Sequence, residues 1–266
     1  MVTLLLVFSA LLGLACGSFA NVLIFRLPRD LSIVRPPSHC PSCDKEIKWY
    51  RNIPVLSFVI LGGRCADCKA RISPRYPLVE LLVGVLFWFA AYNFAPAFPP
   101  DWRTVLTLVS SWIFLLFTTA LIFIDLEHYI LPDKLTLPGI VIGLGSSFFL
   151  PWTSPLESIA GAAAGALIPS ALIGLYALRK IEAMGWGDVK MLAMIGAFLG
   201  WQGVILTLLI GAVLGTVIGG LYILTRKKDK RTQLPFGTFL GMASFVSIFW
   251  GESFWEWYMG FSGVSP

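Results

Sequence analysis

The feature that most constrains this chain is its series of long stretches without a single Lys, Arg, Asp or Glu. They run Met1–Phe25, Leu81–Pro100, Thr104–Ile124, Leu135–Leu156, Ser158–Leu178, Met191–Thr225 and Thr232–Gly251. A helix needs about 20 apolar residues to cross a ~30 Å hydrocarbon core, and most of these stretches reach that length. With 57% hydrophobic and 13% charged residues, the chain also lacks the polar surface to coat a soluble globule. The runs are continuous and show no period-two alternation, which excludes a membrane β-barrel. The expected fold class is therefore an all-α polytopic membrane protein.

Met191–Thr225 is too long for one straight crossing, and Gly200-Trp201-Gln202-Gly203 offers a turn within it. Splitting there gives about eight transmembrane helices, near 2–24, 78–97, 104–124, 135–150, 158–178, 187–200, 203–225 and 235–251. The sixth is short enough to be re-entrant, but the charges argue that it crosses. Eight crossings with an outside N-terminus put 26–76, 125–134, 179–190 and 226–234 on one side. Those segments hold 19 of the 20 Lys and Arg residues, all but Arg103. Positive charge marks the cytoplasmic side, so these loops are expected to face the cytoplasm. The net charge of +5 is then a topology signal with no nucleic-acid partner implied, and Arg226, Lys227, Lys228, Lys230 and Arg231 read as an anchor on anionic lipid. The first positive charge, Arg26, follows the first apolar run, whereas a signal peptide carries its charge before it. That run is read as an uncleaved helix.

The long loop after the first span contains Cys40-Pro41-Ser42-Cys43 and Cys65-Ala66-Asp67-Cys68. Two C-x2-C pairs separated by 21 residues resemble the two knuckles of a zinc ribbon, whose four thiolates complete a tetrahedral site. A redox pair or disulfides would suit an oxidising compartment, while a cytoplasmic loop keeps its thiols reduced and favours metal. Cys40, Cys43, Cys65 and Cys68 are the candidate ligands. His39 could substitute, but four Cys already fill the shell. The expected divisions are a first transmembrane helix at 1–25, a cytoplasmic tetra-cysteine domain at 26–77 and a multi-helix membrane domain at 78–266.

Charged groups inside spans are costly and are functional suspects by default. Glu80 lies near the start of the second span and Asp125 follows twenty-one uncharged residues. Asp188 sits in Gly185-Trp186-Gly187-Asp188 as the sixth span begins. The proposed topology brings Asp125 and Asp188 to the same membrane edge. Two carboxylates held close share a proton, so that one deprotonates water while the other polarises a carbonyl, as in aspartyl proteases. Alternatively, Asp188 serves only as a helix cap.

In order along nearly the whole chain, these residues resemble the bacterial type IV prepilin leader peptidase/N-methyltransferase family. The resemblance rests on Gly17-Ser18-Phe19-Ala20-Asn21-Val22 through Arg26-Leu27-Pro28, on the segment from Cys40 to Cys68 with Asn52-Ile53-Pro54, and on Ile72-Ser73-Pro74-Arg75-Tyr76-Pro77. It continues through Ile124-Asp125 with Leu131-Pro132-Asp133-Lys134 and the G-x-G-D motif at Gly185–Asp188. It implies a membrane aspartyl endopeptidase that removes the basic leader of prepilins and pseudopilins on the cytoplasmic face, with Asp125 and Asp188 as its catalytic pair. The four cysteines carry over as zinc ligands. It further implies methylation of the new N-terminus with S-adenosylmethionine, for which no binding motif can be read. Thr238, in Pro235-Phe236-Gly237-Thr238, departs from a second Pro common in the family and puts the local helix shape in question. Glu127, His128 and Asp133 are expected to be bystanders on an exposed loop, solvated or touching substrate and not catalytic, and Lys190 either tunes the acid pair or binds a lipid phosphate.

Other classes compete with this reading. An ion-coupled transporter would carry protons or cations on Asp125 and Asp188, but such folds show repeats and broken helices at the midplane. A membrane thiol oxidoreductase would use the C-x2-C pairs at an oxidising face. A zinc-binding interaction module would need only the cysteine loop.

Overall fold

The structure is a computed structural model and describes residues 2–95, 100–178, 184–226 and 234–262. Among these residues eight α-helices follow in order: α1 (Val2–Arg26), α2 (Leu56–Ile60), α3 (Arg75–Phe94), α4 (Trp102–His128), α5 (Asp133–Ser146), α6 (Pro155–Ala177), α7 (Trp186–Arg226) and α8 (Phe236–Ser262). No strand occurs among the described residues, only two isolated bridges in the cysteine loop.

Each expected span overlaps a helix. The predicted break in the long apolar run is a kink at Gly200, whose backbone (φ 70°, ψ −179°) lies in a region essentially restricted to glycine. Among the described residues five helices are long and apolar enough to cross a membrane: α1 with the turn after it, α3, α4, α6, and α7 as far as Leu221. α5, with 14 residues, extends only about 21 Å at ~1.5 Å per residue. The surface has the sidedness of a membrane protein. Leu4, Leu11, Val141, Leu156, Leu167 and Val213 are exposed, while Asn21, Glu80, Thr118, Asp125, Ser158 and Asp188 are buried. Beyond Arg226, the expected basic anchor falls outside the described residues.

The chain forms two compact units, Met1–Thr104 with Ser111–Ala120, and Val105–Ser110 with Leu121–Pro266. In the first, α1 packs along α3. The Trp112 ring stacks on Phe87 at 5.3 Å, and its indole N–H donates to the Phe87 carbonyl.

In the second unit, α7 is the hub against which α5, α6 and α8 pack. Gly161 of α6 and Gly196 of α7 meet backbone to backbone, leaving no room for a Cβ on either. Polar groups tie these helices across the apolar core: Ser158 Oγ donates to the Ala197 carbonyl at 2.5 Å, and the Thr207 and Ser247 hydroxyls lie 2.9 Å apart. α6 starts on a capping box in which Ser154 and Glu157 satisfy each other's backbone N–H groups, with Pro155 in the first turn. Asp101 accepts from the Thr104 N–H at the start of α4, fixing where that helix begins.

Candidate active site and metal centre

Asp125 lies in the last turn of α4, which runs four residues past the expected span to His128. Tyr129 closes the helix in the left-handed region (φ 57°), its N–H bonded to the Asp125 carbonyl. The chain then passes Leu131 and Pro132 and enters α5 at Asp133. Asp188 lies in the first turn of α7. Its Oδ2 accepts from the Gly185 N–H at 3.1 Å, so the side chain reaches back to cap its own helix, as the simpler sequence reading had it. Capping uses one carboxylate oxygen.

The two acids belong to the second unit and are brought together there. Their exposures are 5% and 8%, and they lie close enough for their charges to interact. Leu131 forms the wall beside them: its side chain packs at Gly187, next to Asp188, and at Gly237 in the first turn of α8. Gly237 lies tightly against the Leu131 and Asp125 side chains. A Cβ there would sit 2.8 Å from Leu131 Cδ1 and 3.1 Å from Asp125 Oδ2.

Sequence reasoning missed the role of the next residue. The Thr238 N–H donates to Asp125 Oδ2 at 2.7 Å, and the Thr238 hydroxyl lies 3.1 Å from the same oxygen and 3.2 Å from the Ile122 carbonyl. In the third position of α8, Thr238 has an N–H with no intrahelical acceptor, and that orphan donor is spent on Asp125. One hydroxyl carries one proton. When Asp125 is ionised the hydroxyl donates to it, and when Asp125 is protonated the hydroxyl can turn to Ile122 and accept the carboxyl proton.

Lys190 pairs with Asp133 at 2.5 Å, a partner the sequence reading did not consider. This ion pair joins the first residue of α5 to the second turn of α7, and Asp133, with 53% of its side chain exposed, is solvated as expected. His128 is half-buried, not fully solvated, and its Nε2 is buried without a partner.

In the first unit, the Sγ atoms of Cys40, Cys43, Cys65 and Cys68 all lie within 4.8 Å of one another, and every cysteine is a free thiol. Cys40 and Cys68 sulfurs are 3.8 Å apart. Tetrahedral zinc with ~2.3 Å Zn–S bonds places sulfurs about 3.8 Å apart, while a disulfide needs ~2.05 Å, so the donor set fits the metal. The two knuckles repeat each other. Cys40 N–H donates to Lys45 and Cys65 N–H to Ala70, while Asp44 N–H returns to Cys40 and Lys69 N–H to Cys65. Bridges His39–Glu46 and Arg64–Arg71 close both, and Asp44 and Lys69 take matching positive φ of 57° and 61°. Backbone N–H groups of Cys68 and Asp67 draw the Cys65 thiol down to about 6. Cys43 is pushed up to about 12, because burial and the neighbouring thiols outweigh the lowering effect of the Lys45 backbone. His39 faces Pro37 and Asp44 and takes no place among the four sulfurs.

Residues 11–94 match the bacterial peptidase A24 N-terminal domain, and residues 112–220 match the type IV leader peptidase family. A prepilin leader peptidase/N-methyltransferase of Stutzerimonas stutzeri is 38% identical, the alignment covering 94% of this chain and 92% of that protein. Relatives of the same name from Pseudomonas aeruginosa and Aeromonas hydrophila are 35% and 38% identical. They cover 95% and 94% of this chain, and 93% and 92% of their own lengths. No solved structure matches. With similarity at this level over nearly its whole length, the chain belongs to the type IV leader peptidase family.

Proposed function

We propose that this protein is a membrane aspartyl endopeptidase that removes the basic leader of type IV prepilins and pseudopilins, then methylates the new N-terminus. The observation that carries the peptidase reading is the buried pair Asp125 and Asp188, joined from α4 and α7 with Thr238 bound to one of them. Two donors on Asp125 Oδ2 suit that carboxylate to the ionised role, in which it takes a proton from the attacking water. Asp188 then holds the shared proton and polarises the scissile carbonyl through it, and as the tetrahedral intermediate breaks down Asp125 passes the proton it took from water to the leaving amine, which restores both acids. When Asp125 gains its proton, the Thr238 hydroxyl rotates to Ile122, so Asp125 stays partnered in both states.

The substrate supports the same placement. A prepilin leaves its apolar helix in the bilayer and its basic leader in water, so its scissile bond sits at the boundary. The charge asymmetry of the loops supports a cytoplasmic setting for both this edge and the cysteine loop, in a bacterial inner membrane. Basic residues on that side would also meet anionic lipid. Functionally the chain divides into a first helix at 1–25, a cysteine domain at 26–77 and a membrane peptidase domain at 78–266.

Cys40, Cys43, Cys65 and Cys68 would hold zinc. Four protein ligands leave no open position, so the metal would act by folding a loop too small for a sufficient core. S-adenosylmethionine supplies the methyl group for the second activity.

The test is to incubate the purified protein in lipid with a prepilin-type substrate and S-adenosylmethionine, reading the product by mass. Loss of the leader followed by gain of one methyl at the new N-terminus is expected. An intact substrate would overturn the peptidase reading, and a cleaved but unmethylated product would overturn the second activity alone.

A further inference from the structure

The short helix α2, in the cysteine loop of the first unit, turns an apolar face outward. Leu56, Val59 and Ile60, spaced i, i+3 and i+4, share one side of it and are 51%, 67% and 73% exposed. Ser57, Phe58 and Leu61 point the other way and line a cavity within the unit. Ser57 Oγ accepts the Ile53 N–H at 2.9 Å and the Phe58 ring lies against Gly63, which fixes the helix in this roll. Just before α2, Trp49, Tyr50 and Ile53 are exposed as well.

Two spans set the level of this face. Val55, the residue before α2, donates its N–H to Glu80 Oε2 at 2.7 Å, and the Ser18 hydroxyl bonds to the same carboxylate. Ser18 lies eight residues before the end of α1 at Arg26, and Glu80 five residues after the start of α3 at Arg75. At ~1.5 Å per residue these positions are about 12 and 8 Å along helices that cross the membrane. α2 therefore starts alongside the spans and not beyond their ends, at the ~5–10 Å depth where interfacial helices bury an apolar face. Residues 48–64 contain Lys48, Arg51 and Arg64 and no acid, so basic groups bracket the apolar run. That order suits an anionic bilayer surface, and Trp favours the same boundary.

We propose that α2 lies in the membrane interface, with Leu56, Val59 and Ile60 against lipid acyl chains and Lys48 and Arg64 at anionic headgroups. The cysteine loop is then held to lipid as well as to α1 and α3. A second copy docked on the same face would set these cations against their own equivalents. A prepilin would bring a basic leader of its own. Charge disfavours both, and lipid is the occupant that complements the face.

The test uses the full-length protein in bilayers of phosphatidylcholine and phosphatidylglycerol, with a photoactivatable group near the glycerol end of an acyl chain. Trypsin cuts after Arg51 and Arg64, so lipid adducts on 52–64 can be mapped by mass. Wild type should carry them on Leu56, Val59 or Ile60, and none on Asp44, whose side chain is exposed in a knuckle of the same loop. Ile60→Asp should reduce adducts on 52–64 severalfold while those on α1 stay constant. A wild-type peptide without adducts, or adducts undiminished in Ile60→Asp, would overturn the proposal. Adducts lost as the protein is concentrated in the bilayer would make the occupant a second copy, and adducts displaced by an added prepilin-type substrate would make it the substrate. Either result overturns the assignment to lipid. The wild-type map needs no variant, so the proposal stays testable if Ile60→Asp fails to fold.

Discussion

Thr238 shows how one side chain can decide the behaviour of a buried acid. Its N–H and hydroxyl both meet Asp125 Oδ2, and a Pro in its place would supply neither donor. A hydrogen bond to a charged group contributes ~1.5–3 kcal/mol, so Thr238→Val should lower kcat for leader removal by about ten- to a hundredfold. KM should change little, because the lost contact is to Asp125 and not to substrate. Thr238→Ser should keep most of the rate, and steady-state kinetics on the three proteins would show this split. Equal rates in Thr238→Val and wild type would remove the hydroxyl from the account. Asp125 and Asp188 are legible in the sequence because charge is rare within apolar runs. Thr238 is not, since an orphan N–H at the start of the last helix names no acceptor until α4 is folded beside it.

At the level of elements, hydropathy locates the helices well, and the turn residues locate their breaks. Gly200 is the clearest case: the split expected between Gly200 and Gly203 is a single backbone kink at Gly200. Replacing it with Ala forces an L-residue into a glycine-only region, costing ~1–3 kcal/mol. The new Cβ would also lie 3.1 Å from Thr153 Oγ1. Gly200→Ala should lower the thermal midpoint in detergent while Gly174→Ala, where a Cβ meets open space, should not. The end of α4 was less legible. Asp125-Leu126-Glu127-His128 is polar enough to read as loop, yet the helix continues through it and seats Asp125 in its final turn. The repeat of the two cysteine knuckles, down to matching left-handed residues at Asp44 and Lys69, was visible only as two C-x2-C pairs. Spacing predicts the ligands, but not that Asp44 and Lys69 must each accept φ > 0.

For the whole molecule, the sequence marks where the chain leaves the membrane, and packing decides which helices cohere. Apolar runs alone do not say that α1 pairs with α3, or that α7 gathers α5, α6 and α8, because the complementarity lies in small contacts such as Gly161 on Gly196. The charge asymmetry and the cysteine cluster make a joint prediction. In vesicles exposing the cytoplasmic face, a strong chelator should render residues 30–73 sensitive to protease, and added zinc should restore protection. In vesicles of opposite orientation the same treatment should cut nothing in that loop. Protection unaffected by chelation would show that the loop folds without metal, and cleavage from the opposite face would reverse the topology.

The central claim is that Asp125 and Asp188 act as one unit in peptide hydrolysis. The direct measurement is the rate of leader removal by Asp125→Asn, Asp188→Asn and the double variant, each shown to be folded by its thermal midpoint. Loss of a general acid–base group costs about 10²–10⁴ in rate, so each single variant should fall at least that far. The double variant should be hardly worse than either, as for residues that share one step. A single variant that cuts at the wild-type rate, or two losses that multiply as independent effects, would contradict the paired mechanism.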